Sequence, residues 1–130
     1  MTINTLLHRQ VHPNWIQHNI VSEQAFATSQ TFVPTAKDSG LLSVYNGDKF
    51  TAEHSLNHFT DNPDCSSAGV LSITVGEVDS IGDLTAVDDD YPFDGHAHID
   101  FTQVTSVKSV KKKAQKLRDL AMLRGWVYKL

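Results

Sequence analysis

The stretch Gly95-His96-Ala97-His98-Ile99-Asp100-Phe101 alternates strictly between polar and apolar side chains. Its two histidines and its aspartate fall on one side, and its alanine, isoleucine and phenylalanine fall on the other. Because successive side chains of a β-strand point to opposite faces of the sheet, this pattern predicts a strand over residues 96–101. The predicted strand offers one face to a core and the other to a site.

Two further stretches predict strands that can share a sheet with it. Leu41–Tyr45 is a short apolar run that ends at the turn sequence Asn46-Gly47-Asp48. Gly69–Val75 is the most apolar strand candidate and suits a central position. The side chains that would share the polar face are Ser43, Tyr45, Ser72, Thr74, His96, His98 and Asp100.

Two amphipathic helices are predicted to cover the apolar face of this sheet. Thr51 is a suitable N-cap for a helix that runs to about Phe59. Ser106 caps a longer helix, whose apolar residues keep a period near 3.6 up to Gly125. Burial of each aliphatic side chain contributes about 1.5–3 kcal/mol, which favours packing of both helices on the apolar side. The predicted fold is therefore α+β, a mostly antiparallel sheet of three to five strands with two helices on one face.

The bulk properties indicate one small domain. A chain of 130 residues can bury a single core, and we expect residues 1–130 to form one α+β domain, with residues 1–34 as an arm packed across it. The sequence contains no run of about 20 apolar residues, so no membrane association is expected. The single cysteine, Cys65, excludes an intramolecular disulfide and indicates a reducing, cytoplasmic location.

The charge is divided unevenly along the chain. Residues 103–130 contain eight Lys and Arg against one acidic residue, although the whole chain carries a net charge of −4. Lys108, Lys112 and Lys116 project from one side of the second predicted helix and could bind an anion or a protein partner. That partner could be a second copy, through its acidic 83–94 loop, and a solvated helix face is the simpler alternative. The pI of about 5.9 argues against nucleic acid.

The polar face supplies the candidate catalytic residues, which are His96, His98, Asp100 and Tyr45. Histidine titrates near neutrality and a carboxylate can orient it, so this group could carry out acid–base chemistry. No cofactor is expected. If a divalent metal such as zinc, manganese or iron did bind, His96, His98 and Asp100 would hold it. Helical geometry directs His54 and His58 away from the core and so away from this strand.

Three functions follow from these features, and whether the protein is an enzyme stays open. The first is an accessory or interaction protein that binds a protein partner, because no phosphate loop, nucleophile elbow or His-Glu-x-x-His motif is present. The alternative is a small hydrolase or transferase, metal-assisted or not, centred on His96, His98 and Asp100. The third is nucleic-acid binding through the basic helix.

Overall fold

The protein is a small α+β molecule, and its computed structural model describes residues 1–18, 25–35 and 39–130. Within these residues it contains a six-stranded sheet, a two-stranded sheet and three α-helices. The elements are, in chain order, β1 (Leu6–Val11), β2 (Ile16–His18), β3 (Ala25–Ala27), β4 (Leu41–Asn46), α1 (Ala52–Thr60), β5 (Gly69–Thr74), α2 (Val75–Ile81), β6 (Thr85–Val87), β7 (His96–Asp100), α3 (Val107–Arg124) and β8 (Tyr128–Lys129). Short 3-10 turns lie at Pro13–Trp15 and Ser29–Phe32. The sheet has more strands than the three to five expected, and α2 is a third helix.

The large sheet is antiparallel throughout, with the strand order β6-β7-β4-β1-β5-β8. The sheet has two halves, β6-β7-β4 and β1-β5-β8. Within them, β1 pairs with β5 along its whole length and β4 pairs with β7 from Leu41 to Tyr45. Among the described residues, the strand register joins the two halves at two pairs, Leu7↔Asn46 and His8↔Tyr45. The sheet therefore splits between β1 and β4 beyond that joint.

The apolar face of the sheet forms the main core beneath α3. Ala114, Leu117 and Ala121 of α3 are buried, and the helix packs on β5 and on the 29–32 turn. Ser106 caps α3 as predicted, by accepting a hydrogen bond from the Ser109 backbone N–H at 3.1 Å. The core of this face consists mainly of Leu7, Val11, Phe32, Leu42, Val44, Leu71, Ile73, Ala97, Ile99, Phe101 and Leu117.

The first helix, α1, lies on the opposite, polar face of the sheet, which corrects the expectation that both helices share one face. Ser55 of α1 accepts a hydrogen bond from the Gln10 side chain at 2.9 Å, and His58 contacts the Tyr45 hydroxyl at 2.9 Å. The register places Gln10 opposite Val70, which is fully buried, so this face also offers apolar surface. Polar side chains can be buried there at little cost because they are hydrogen-bonded.

Strand β1 corrects the expectation of an arm over residues 1–34. Leu6–Val11 lies between β4 and β5 in the middle of the sheet, and Leu7 and Val11 are fully buried. Residues 19–24 of the expected arm lie outside the described residues. The helices of the described chain include none that is both long and apolar enough to span a bilayer.

Candidate functional site

His96 and His98 share one carboxylate, that of Asp89. The His96 Nδ1 lies 2.6 Å from Asp89 Oδ1, and the His98 Nδ1 lies 2.6 Å from Asp89 Oδ2. An ionised carboxylate only accepts hydrogen bonds, so each Nδ1 carries a proton and donates it. In the neutral imidazole this arrangement leaves Nε2 as an acceptor. No described residue contacts either Nε2 by a hydrogen bond.

The Asp89 carboxyl is held in its ionised form. Burial alone would raise its pKa, but the hydrogen bonds from His98 and His96, together with one from the Tyr91 backbone, outweigh that effect and lower the pKa below its ordinary value. Asp89 is therefore a negatively charged partner at neutral pH. It fixes the orientation of both rings.

The loop that carries Asp89 is held in place by contacts of the residues that follow it. Lys49 Nζ contacts Asp90 Oδ1 at 2.9 Å and Asp94 Oδ1 at 2.6 Å, and Asp90 Oδ1 also accepts a hydrogen bond from the Gly95 N–H at 2.9 Å. Gly95 has a φ of +98°, and a Cβ there would clash with the Phe50 ring. These contacts preorganise the 88–95 loop over the polar face.

A cleft of about 260 Å³ opens on this face where β1 and β4 separate. Its volume lies just below the range of about 300–1,000 Å³ typical of pockets for drug-sized ligands, so it suits a smaller molecule. Phe59 and Phe93 provide aromatic walls, and His96 borders the cleft from β7. The full lining is His8, Arg9, Gln10, Ser43, Val44, Tyr45, Phe59, Pro92, Phe93 and His96.

Tyr45 borders the cleft and keeps its phenolic proton. Burial, and less strongly the nearby Cys65, raise the pKa of Tyr45 to about 12. Its hydroxyl lies 2.9 Å from His58 Nδ1, and Phe93 packs against the His58 ring with the centroids 4.3 Å apart. The expectation that His58 faces away from the strand is therefore wrong, because α1 covers the polar face.

The four candidate catalytic residues are not all brought together. His96 and Tyr45 border the cleft, whereas His98 contacts Asp89 without lining the cleft. Asp100 accepts a hydrogen bond from the Thr102 N–H at 2.7 Å, and the Thr102 side chain and backbone lower its pKa. The carboxylate that orients the histidines is thus Asp89, which the sequence placed only in an acidic loop.

Among the described residues, no group of three or more His, Cys, Asp or Glu side chains is arranged to hold a metal ion. His96 and His98, which both contact the Asp89 carboxylate, are called the oriented histidine pair below.

His8 is a buried histidine beside the cleft. Its Nε2 lies 3.1 Å from the Phe50 carbonyl oxygen, which can only accept, and its Nδ1 lies 2.6 Å from the Ser72 hydroxyl. Nε2 therefore carries the proton, and the Ser72 hydroxyl donates to Nδ1. Burial lowers the pKa of His8, although the Phe50 contact opposes the shift, so the ring is neutral in the folded protein at neutral pH.

The lowered pKa of His8 predicts a loss of stability in weak acid. Below the ordinary value of 6.5 the unfolded chain takes up a proton that the folded chain resists. The free energy of unfolding should then fall with decreasing pH, by at most about 1.4 kcal/mol per pH unit from this residue. Well above pH 6.5, where the histidine is unprotonated in both states, this contribution should be constant. Urea unfolding between pH 7.5 and 5.5 measures the slope.

His8→Gln is the control for that measurement. It is expected to lower stability at neutral pH but to give a shallower slope below pH 6.5, since glutamine does not titrate. Equal slopes in the two proteins would show that His8 is not the group responsible.

The predicted partner-binding lysines all lie exposed on α3. Lys108, Lys112 and Lys116 make no ion pair with any described residue. Lys113, by contrast, donates to the Gly82 carbonyl at 2.9 Å and lies 4.0 Å from Asp83. The exposed lysines therefore form a positive surface, the α3 lysine face, on the side of α3 away from the core.

Comparison of the chain with protein-family models, with curated proteins and with solved structures found no match.

Proposed function

We propose that the protein binds a small molecule in the cleft between β1 and β4 and acts on it by acid–base catalysis through His96. One observation supports this above the others. The only ring of the oriented histidine pair that lines the cleft is that of His96, and its Nδ1 is tied to the Asp89 carboxylate at 2.6 Å. A histidine held by a carboxylate beside a concave pocket is the arrangement that acid–base catalysis requires.

The reaction class that fits best is hydrolysis or group transfer. In hydrolysis, His96 Nε2 takes a proton from a water molecule as the water oxygen bonds to the electrophilic atom of the substrate. The imidazolium then returns that proton to the leaving group. Asp89 would stabilise the imidazolium through Nδ1, in the role that the carboxylate has in a catalytic triad. Group transfer follows the same path with an acceptor hydroxyl or amine in place of water.

Tyr45, Phe59 of α1 and Phe93 of the 88–95 loop would position the substrate. The phenolic proton of Tyr45 is retained at neutral pH and the hydroxyl contacts His58 Nδ1 at 2.9 Å, so a lone pair of its oxygen can accept a hydrogen bond from a donor on the substrate. Phe59 and Phe93 would enclose an apolar part of the ligand and exclude water from it. His98 is then a structural member of the pair, because it secures Asp89 without reaching the cleft.

A fragment and substrate screen tests this function. The protein is titrated with small esters, amides and phosphate esters while the histidine ring resonances and the release of product are followed. We expect at least one class to bind at millimolar concentration or better and to shift the His96 ring. If every fragment that binds perturbs a different surface and none is turned over, the proposal is wrong.

A second candidate is binding of an acidic protein partner, which the unpaired α3 lysine face favours. Charge complementarity would steer an acidic surface to Lys108, Lys112 and Lys116, either on another protein or on the acidic loop of a second copy. We propose a cytoplasmic setting for such a complex, from the single cysteine. The cleft and the lysine face are on separate elements, so the two functions are compatible.

Reversing the charges of the lysine face tests the second candidate. Lys108→Glu, Lys112→Glu and Lys116→Glu combined should abolish capture of a partner from a nuclease-treated extract, whereas Lys129→Glu on β8 should leave it intact. If the partner is a second copy of the chain, sedimentation of the same triple variant should show that self-association is lost. Capture that survives the triple reversal would contradict the proposal, and capture that requires nucleic acid would replace it with nucleic-acid binding.

A further inference from the structure

The pairing of β1 with β4 ends at His8↔Tyr45, before a further residue pair that the same register would allow. Leu6 O accepts from the Gly47 N–H at 2.7 Å, and the register continues through His8↔Tyr45. In an antiparallel ladder the hydrogen-bonded pairs recur every second residue. The next such pair would be Gln10 with Ser43, and the register does not contain it.

The backbone groups of that missing pair face the cleft. The neighbouring ladders use the alternate residues, since Val11 O accepts from Ala68 on the β5 side and Asn46 donates to Gly95 on the β7 side. The N–H and C=O of Gln10 and of Ser43 therefore point into the split, and both residues line the cleft. The Gln10 side chain is not available there, because Ser55 and Ser67 bind it at 2.9 and 2.8 Å.

One of the four groups already has a partner. Arg9 Nη1 donates to the Ser43 carbonyl at 3.0 Å, and Arg9 Nε donates to the Thr31 carbonyl at 2.8 Å, so the arginine bridges the split. The Gln10 N–H, the Gln10 C=O and the Ser43 N–H have no ladder partner among the described residues. An unpaired strand edge can take up an added chain segment through its backbone N–H and C=O groups, so these three groups favour a ligand that supplies the missing donor and acceptor.

We propose that the ligand of this cleft carries a secondary amide, which takes the place of the absent pairing between Gln10 and Ser43. An amide offers one donor and one acceptor in a plane, as a strand residue does. Its carbonyl would accept from Ser43 or Gln10, and its N–H would donate to the Gln10 carbonyl. The aromatic walls formed by Phe59 and Phe93 suit an apolar substituent on the same molecule. This inference rests on the proposed function, since it names the ligand class of the same site.

A matched pair of probes tests the inference on the unmodified protein. N-benzylacetamide and 4-phenyl-2-butanone have the same shape and carbonyl, but the ketone has CH₂ in place of the amide N–H. The amide is expected to bind at least about tenfold more tightly, because the ketone leaves the Gln10 carbonyl unpaired. Its binding should shift the backbone amide resonances of Gln10 and Ser43 together with the His96 ring.

The outcomes separate this inference from the function it rests on. Equal affinity for the two probes, or binding of other fragments at His96 with no binding of the amide, overturns amide recognition and leaves the acid–base function standing. If no fragment of any class shifts His96, both are overturned. Tighter binding of the amide without shifts at Gln10 and Ser43 places it elsewhere and also overturns the inference.

Discussion

Replacing His96 with Asn is expected to lower the rate of the reaction found for this cleft by about 10²- to 10⁴-fold, the range that a positioned general acid–base group contributes. Asparagine is smaller than histidine and cannot exchange a proton near neutral pH. Fold stability should change little, because the His96 side chain retains 14% exposure and is outside the main core. Steady-state kinetics with the substrate from the screen measures the effect.

Two other histidines serve as controls for this variant. His98→Asn removes a second ring from the same carboxylate but leaves the cleft lining intact, so it should reduce the rate much less. His54→Asn changes an exposed residue of α1 and should have no effect. A His96→Asn protein that retains the wild-type rate, or a His98→Asn protein that loses more activity than His96→Asn, would contradict the assignment.

Leu7→Ala is expected to destabilise the fold by about 2–5 kcal/mol, the usual cost of removing a fully buried leucine side chain. Leu7 is completely buried, and it forms one of the two residue pairs that join the halves of the sheet. Loss of this side chain leaves a cavity in the core between the sheet and α3, and it weakens the pairing of β1 with β4 beside the cleft. Chemical denaturation measures the change in the free energy of unfolding.

Ile3→Ala provides the comparison from the same end of the chain. Ile3 is 66% exposed, so its truncation should change stability by no more than about 0.5 kcal/mol. If Leu7→Ala were as mild as Ile3→Ala, β1 would not be the central strand described here.

The elements that were predictable are those whose own sequence has the required period. Strand β7 alternates with period two, and α3 combines a 3.6-residue stripe with a Ser106 cap and a Gly125 end, so local physics was enough for both. The polar face of β7 was also predictable. His96 and His98 do point to the same side, where the register sets them against Tyr45 and Ser43.

Strand β1 was not predictable because it is buried on both faces. Its polar residues are satisfied by partners far along the chain, since His8 binds Ser72 and Gln10 binds Ser55 and Ser67. The local sequence pattern does not indicate such long-range contacts, and for this reason the segment is predicted from sequence to be an irregular arm. The same strand helps to explain the position of α1, because β1 presents the buried side chains of His8 and Gln10, and β5 presents buried Val70, on the side predicted to be wholly polar.

The role of Asp89 was hidden for a different reason. It lies in a run of three aspartates seven residues before His96, and the path of the 88–95 loop follows from the Lys49 contacts with Asp90 and Asp94. Loop paths have no periodic signature. Asp100 shares the strand face with the histidines, but residues two apart on a strand are poorly placed to bond side chain to side chain, so strand geometry indicates a partner from elsewhere without naming Asp89.

The protonation pattern of the His96 ring tests the central claim most directly, and nitrogen-15 NMR of the imidazoles measures it in wild type and in Asp89→Asn, with Asp88→Asn as the adjacent control. The wild-type and Asp88→Asn proteins should show the neutral His96 ring protonated at Nδ1, with an unprotonated Nε2 that responds when a fragment enters the cleft. Asp89→Asn should lose this preference. A wild-type His96 protonated at Nε2, or a ring unchanged in Asp89→Asn, would contradict the account.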